Sequence, residues 1–124
     1  MIIRFEYNDG DKSLSNYPNS KNDCVVRAIA IALKLDYNTA FNIMNICGRR
    51  SNGGLTTKAW LTTLSSYVTK LDFKGTVENF YRDNQTGRFI IEINRHIFAL
   101  VDGVIQDTHL NYVKWTVVNV WKVN

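Results

Sequence analysis

Three residues of this chain have the types, in the right order, for thiol chemistry: Cys24, His96 and Asp107. Cys24 stands where the polar stretch "SKND" gives way to the apolar run "CVVRAIAIAL". A thiol at the head of a helix meets a partial positive charge and unpaired N–H groups, which lower its pKa and can hold a developing oxyanion. A histidine can take the thiol proton, and an acid can fix the tautomer and orientation of that histidine. Cys, His and Asp in this order are the parts of a cysteine-nucleophile triad. Taken alone, a cysteine on an Ala/Ile-rich helix is more often core packing. The functional reading therefore depends on what carries the other two residues to it.

The hairpin near the C-terminus supplies that link. Asp102-Gly103 lies between the apolar runs "RFIIEINRHIFALV" and "VIQDTHL", and Asp-Gly suits a two-residue turn that needs positive φ. With those two as the turn, Val101 pairs with Val104, Phe98 with Asp107 and His96 with His109. Asp107 then lies diagonally across from His96 on one face, within reach of long polar side chains. A longer loop with a bulge would shift the register by one residue and separate them.

The remaining elements follow from periodicity. "IIRFEY" alternates as a first strand, and 23–35 reads as a helix apolar nearly all round, which belongs in the middle of a domain. Ser20, Asn22 and Asp23 are its cap-type residues. A second helix covers "DYNTAFNIMNICGRR", capped by Asn38 or Thr39 and stopped at Gly48. "SNGG" is a loop, and "TTKAWLTTLSSYV" is a third helix with Trp60, Leu64 and Tyr67 on one face. "TVENFYRD" is a short helix ended by "DNQTG". "YVKWTVVNVWKV" is a final strand with Trp115 and Trp121 on one face, both expected in the core. Helices first and an antiparallel sheet afterwards make an α+β domain.

At 124 residues the chain is expected to be a single domain over 1–124, with no repeat, linker or low-complexity block. No stretch approaches the ~18 apolar residues of a membrane span, and the start lacks a secretion signal, so a cytoplasmic chain with no membrane partner is expected. In that compartment Cys24 and Cys47 read as free thiols. The net charge of +4 is mild and the basic residues are scattered apart from Arg49-Arg50. Nucleic acid is thus not an implied partner.

The runs "NDCVVRAIAIAL", "TVENF" and "HIFALVDGVIQD", with a Gly-Arg before a strand, resemble the small papain-like cysteine peptidase domains of bacteriophage and bacterial genomes. Bacteriocin-processing peptidases are more distantly similar. The resemblance spans about residues 20 to 110. It implies a papain-like fold, a central Cys-bearing helix packed on a C-terminal sheet. Cys24 would be the nucleophile, His96 the general base and Asp107 the orienting acid. Papain-like enzymes place a glutamine before the cysteine to help form the oxyanion hole. Here Asn19 or Asn22 would substitute, together with the Cys24 N–H.

The resulting expectation is a cytosolic, phage-encoded thiol hydrolase that cleaves an amide or isopeptide bond of a protein or peptide through an acyl-enzyme, without a cofactor. The alternative is a catalytically silent papain-like scaffold that binds and blocks a host protein, such as an antiviral defence component. Asp23, directly before the thiol, should work against a thiolate. Arg49 and Arg50 would grip an acidic or carboxylate-bearing substrate if their loop borders the cleft. Cys47 reads as core filler and His109 as a surface histidine. Cys24, His96, Asp107 and His109 are zinc-compatible types, but they lack a paired short-spacing motif and no metal is expected.

Overall fold

The computed structural model describes residues 2–50 and 53–124. Six strands form one mixed sheet: β1 (Phe5–Tyr7), β2 (Val68–Leu71), β3 (Arg88–Ile93), β4 (His96–Val101), β5 (Val104–Asp107) and β6 (Asn119–Val123). Their spatial order is β1-β5-β4-β3-β6-β2. Four α-helices accompany them: α1 (Cys24–Ala32), α2 (Tyr37–Ile46), α3 (Thr57–Leu64) and α4 (Val77–Asp83). The chain is therefore α+β.

Alternation along β3 and β4 divides the core in two. Ile90, Ile97, Ala99 and Val101 face a cluster built on α1, with Trp60 of α3 and Tyr37 of α2. Phe89, Ile91, Phe98 and Leu100 face a second cluster with Val77, Phe80 and Tyr81 of α4, and Tyr112. A sheet covered on both faces is the simplest account of strands as continuously apolar as "RFII" and "IFALV".

Helix α1 crosses β4, and five successive residues from Ala28 to Ala32 are buried. It is shorter than periodicity suggests. Lys34 takes a left-handed φ of 57°, and Leu35 N–H reaches back to the Ala30 carbonyl at 2.9 Å. This is a Schellman end made without glycine. The Arg88 guanidinium adds hydrogen bonds to the Ile31 and Ala32 carbonyls.

Several expectations need correction. The sheet is neither wholly C-terminal nor wholly antiparallel, because β1 pairs parallel with β5, and β2 enters between α3 and α4. Helix α2 is capped by Asp36, whose carboxylate accepts from Thr39 N–H at 2.7 Å, rather than by Asn38 or Thr39. Gly48 does follow its end, at φ 104°. Helix α3 stops at Leu64 and tightens into a 3₁₀ turn over Ser65–Tyr67, which leaves Tyr67 exposed while β-branched Val68 and Thr69 begin a strand. The last strand covers only 119–123. Trp115 sits in the preceding turn, about half exposed, while Trp121 is buried edge-on to Trp60.

Candidate active site

The chain brings its three candidate residues together at one end of the sheet. Cys24 is the first residue of α1, His96 the first of β4, and Asp107 the last of β5. The hairpin turns at Asp102-Gly103, with φ of 46° and 76°, and the register runs Val101↔Val104, Leu100↔Ile105, Ala99↔Gln106. No bulge intervenes. Continuing that register puts Asp107 diagonally across from His96, and His96 Nε2 lies 2.6 Å from Asp107 Oδ2.

With Nε2 engaged by the acid, Nδ1 is the ring nitrogen left for the thiol. Cys24, His96 and Ile97 line one cleft, and the His96 ring and the Ile97 N–H act on the thiol as neighbouring polar groups. Burial would push the thiol up, but the His96 hydrogen bond and charge outweigh it and hold the pKa below the ordinary cysteine value. For His96, burial works downward. The Asp107 hydrogen bond and then the thiol contact win, raising it to about 9. Opposite shifts on contacting groups favour a thiolate–imidazolium pair near neutrality.

Asp107 is itself fixed. Besides His96 it accepts from Tyr112 O–H at 2.7 Å and Thr108 N–H at 2.7 Å. Burial would raise its pKa, yet the hydrogen bonds from His96 and Tyr112 keep it below the usual carboxylate range. Burial, followed by the charge of Asp107, drives the Tyr112 hydroxyl well above a normal phenol, so it remains a donor. The sequence pattern places Tyr112 in the final strand, whereas it lies in the segment that precedes β6. Nothing in its local pattern marks it, since its role arises from the turn that brings it back over the hairpin.

Asp23 behaves differently from its sequence expectation. It is buried at 2% exposure, bonded to Arg27, 3.1 Å from Lys12 Nζ and 2.6 Å from Tyr37 O–H. Burial raises its pKa, but Tyr37, Arg27 and Lys12 together hold it below the ordinary carboxylate value. With its charge compensated by Arg27, Lys12 and the Tyr37 hydroxyl, it does not prevent the lowered Cys24 pKa. Its side chain makes no cap bond to α1. The first amides of the helix therefore lack that local acceptor.

A cleft of about 330 Å³ opens beside the thiol, walled by Asn22, Val25, Leu55, Trp60, Glu92 and His96 among others. Of the two asparagines proposed for the oxyanion, Asn22 borders this cleft, from a left-handed position at φ 52°, and exposed Asn19 does not. Arg49 does not border it either. It is buried, donating to Lys21 O at 2.6 Å and Ser20 Oγ at 3.2 Å and lying over the Phe41 ring, so it braces the loop leading into Cys24 rather than facing solvent. Arg50 is exposed outside the cleft wall, and of the "SNGG" loop Ser51 and Asn52 lie outside the described residues.

Cys47 caps the end of α2, half-buried against the core. His109 is exposed with its ring 4.9 Å from His96, and with His96 and Asp107 it offers ligand atoms within 4.8 Å of one another. Two of those three are already committed to each other. Among the described residues no helix is long and apolar enough to cross a membrane. Comparison with known proteins finds no family model, no curated protein and no solved structure that matches this chain.

Proposed function

We propose that this chain is a papain-like cysteine hydrolase that cleaves an amide or isopeptide bond through an acyl-enzyme on Cys24. The observation that carries the reading is His96 held between the Cys24 thiol and Asp107, with the 2.6 Å bond to Asp107 orienting the ring. A helix bearing the thiol, laid across a strand bearing the histidine, is the arrangement the papain-like resemblance implies.

In this mechanism the thiolate attacks the substrate carbonyl carbon, and the oxyanion is received by the Cys24 N–H and the Asn22 side chain. His96 then gives its Nδ1 proton to the departing amine as the C–N bond breaks, leaving a thioester. Water attacks the thioester while His96 takes one of its protons, and the carboxylic acid departs as the thiol is restored. Asp107 keeps the ring aligned and its charge compensated throughout. Tyr112 in turn keeps Asp107 from rotating.

A scaffold that binds a host protein without chemistry is the competing reading. The specific feature on its side is the asparagine in place of glutamine ahead of the thiol. Iodoacetamide labelling separates the two: Cys24 should be alkylated well ahead of Cys47, and equal slow labelling of both removes the hydrolase reading. Cys24→Ala should abolish turnover and retain the fold. If partner capture and biological effect also survive that change, the scaffold reading replaces it.

A further inference from the structure

Glu92 is the one acidic side chain among the residues that wall the cleft beside Cys24. It lies on β3 on the same face as Ile90, which belongs to the cluster built on α1. Its two oxygens are each held by a neutral donor: Oε2 accepts from Thr57 O–H at 2.7 Å and Oε1 from Asn119 Nδ2 at 2.8 Å. Thr57 opens α3 and Asn119 opens β6, so the carboxylate is fixed from two separate elements. Among the described residues no Lys, Arg or His nitrogen forms an ion pair with it.

A neutral glutamine could tie α3 to β6 by the same two contacts. A carboxylate that is half-buried, immobilised and in no ion-pair contact favours the approach of a positive group, even with Arg95 and His96 elsewhere in the same wall. Its surroundings suit the stem of a long basic side chain, because Trp60, Leu55 and Val25 supply apolar wall on the way to it. On the other side of the histidine a second cleft of about 410 Å³ shares Arg95 and His96 with the first, and includes Trp115, His109 and Tyr112. Open space on both sides of the reacting centre fits an extended chain better than a compact small molecule.

Resting on the hydrolase reading above, we infer that the substrate is a peptide or protein segment carrying a lysine or arginine close to the scissile bond, and that Glu92 selects it. The cationic head meets the Glu92 carboxylate while the aliphatic stem lies against Trp60. Glu92 is a specificity residue in this scheme and takes no part in proton transfer.

Peptidyl acyloxymethyl ketones test this directly, since the thiolate displaces their carboxylate leaving group and the labelled protein is read by mass. A set with Lys, Leu or Glu at the position next to the electrophile, and at the one before it, should label Cys24 about tenfold faster when one of the two is Lys than when both are Leu. Glu probes should be slower still. Glu92→Gln should bring the Lys and Leu rates together, and Glu92→Lys should favour the Glu probes, with thermal melts showing that both variants fold. Iodoacetamide rates at Cys24 should be unchanged by Glu92→Gln, which keeps the nucleophile separate from the selection. Equal Lys and Leu rates in the wild type, a preference that survives Glu92→Gln, or reaction with iodoacetamide but no peptide overturns the inference. Failure of iodoacetamide itself to favour Cys24 overturns the hydrolase reading instead.

Discussion

Arg27 and Asp107 come within 3.8 Å of each other, which links the helix that bears the thiol to the strand that bears the acid. The other terminal nitrogen of Arg27 is bonded to Asp23, in the loop just ahead of Cys24. One guanidinium thus spans two buried carboxylates and stands one turn from Cys24. Its positive charge also acts on Cys24 in the direction that favours the thiolate.

Replacing Arg27 with Met keeps the aliphatic stem and removes this link. Asp23 and Asp107 are 2% and 3% exposed, so each loses a cation it cannot replace with water. Lys12 and Tyr37 still serve Asp23, and His96 and Tyr112 still serve Asp107, which limits the loss to about 2–3 kcal/mol. The folded pKa of both acids lies below 3.8, so their contribution is present above that value and is lost as pH falls through the lower folded values. With Arg27→Met the loss should begin at higher pH. Urea unfolding at pH 7 and pH 4 measures both effects.

The thiolate–imidazolium pair predicts two different pH limbs. Alkylation of Cys24 needs only the thiolate, so its rate should rise with a midpoint below the ~8.5 of a free cysteine and then stay level. Hydrolysis by the proposed mechanism would also need the His96 proton for the leaving amine, and should fall as pH passes about 9. His96→Gln should move the alkylation midpoint above the ordinary thiol value, because burial then acts with less to oppose it. An unshifted midpoint in that variant would show that His96 does not tune the thiol.

Asp107→Asn should lower turnover by about 10²-fold or more, since an amide can hold the imidazole in the wrong tautomer and offers no charge to the imidazolium. Tyr112→Phe removes only a hydrogen bond to that acid, a change of about 1 kcal/mol, and should cost roughly fivefold. Combining Tyr112→Phe with Asp107→Asn should add little to Asp107→Asn alone, because Tyr112 acts through the acid. A double-mutant cycle on turnover checks the ordering.

How far the site could be read from sequence depended on the range of the signal. The Asp102-Gly103 turn fixes a register by local chemistry, so the His96–Asp107 diagonal followed from counting. The junction of polar loop and apolar helix marked Cys24 for the same reason. The parallel β1–β5 pairing had no such local signature, because β1 is three exposed residues whose partner lies about a hundred positions away. Arg49 looked like a surface pair with Arg50, yet its partners are carbonyl and hydroxyl groups of a loop 28 and 29 residues upstream. Glu92 was invisible inside the strand "RFIIEI", since one charge at the end of an apolar run reads as a solvated edge until α3 folds over it.

Lys34 offers a test of the fold apart from the chemistry. It ends α1 in the left-handed region, at φ 57°, where a side chain costs about 1 kcal/mol and glycine pays nothing for the conformation. Glycine also has more freedom to lose from the unfolded chain, which recovers part of that difference. Because Lys34 is exposed and the Schellman bonds are made by backbone, Lys34→Gly should stabilise the protein by about 0.5 kcal/mol. Lys34→Val should act oppositely and more strongly, since β-branching crowds the same backbone. Denaturant midpoints at constant slope would show the two shifts. A helix that instead continued to Leu35, as its apolar period suggests, would lose stability with glycine at position 34, so the sign of the Lys34→Gly change decides where α1 ends.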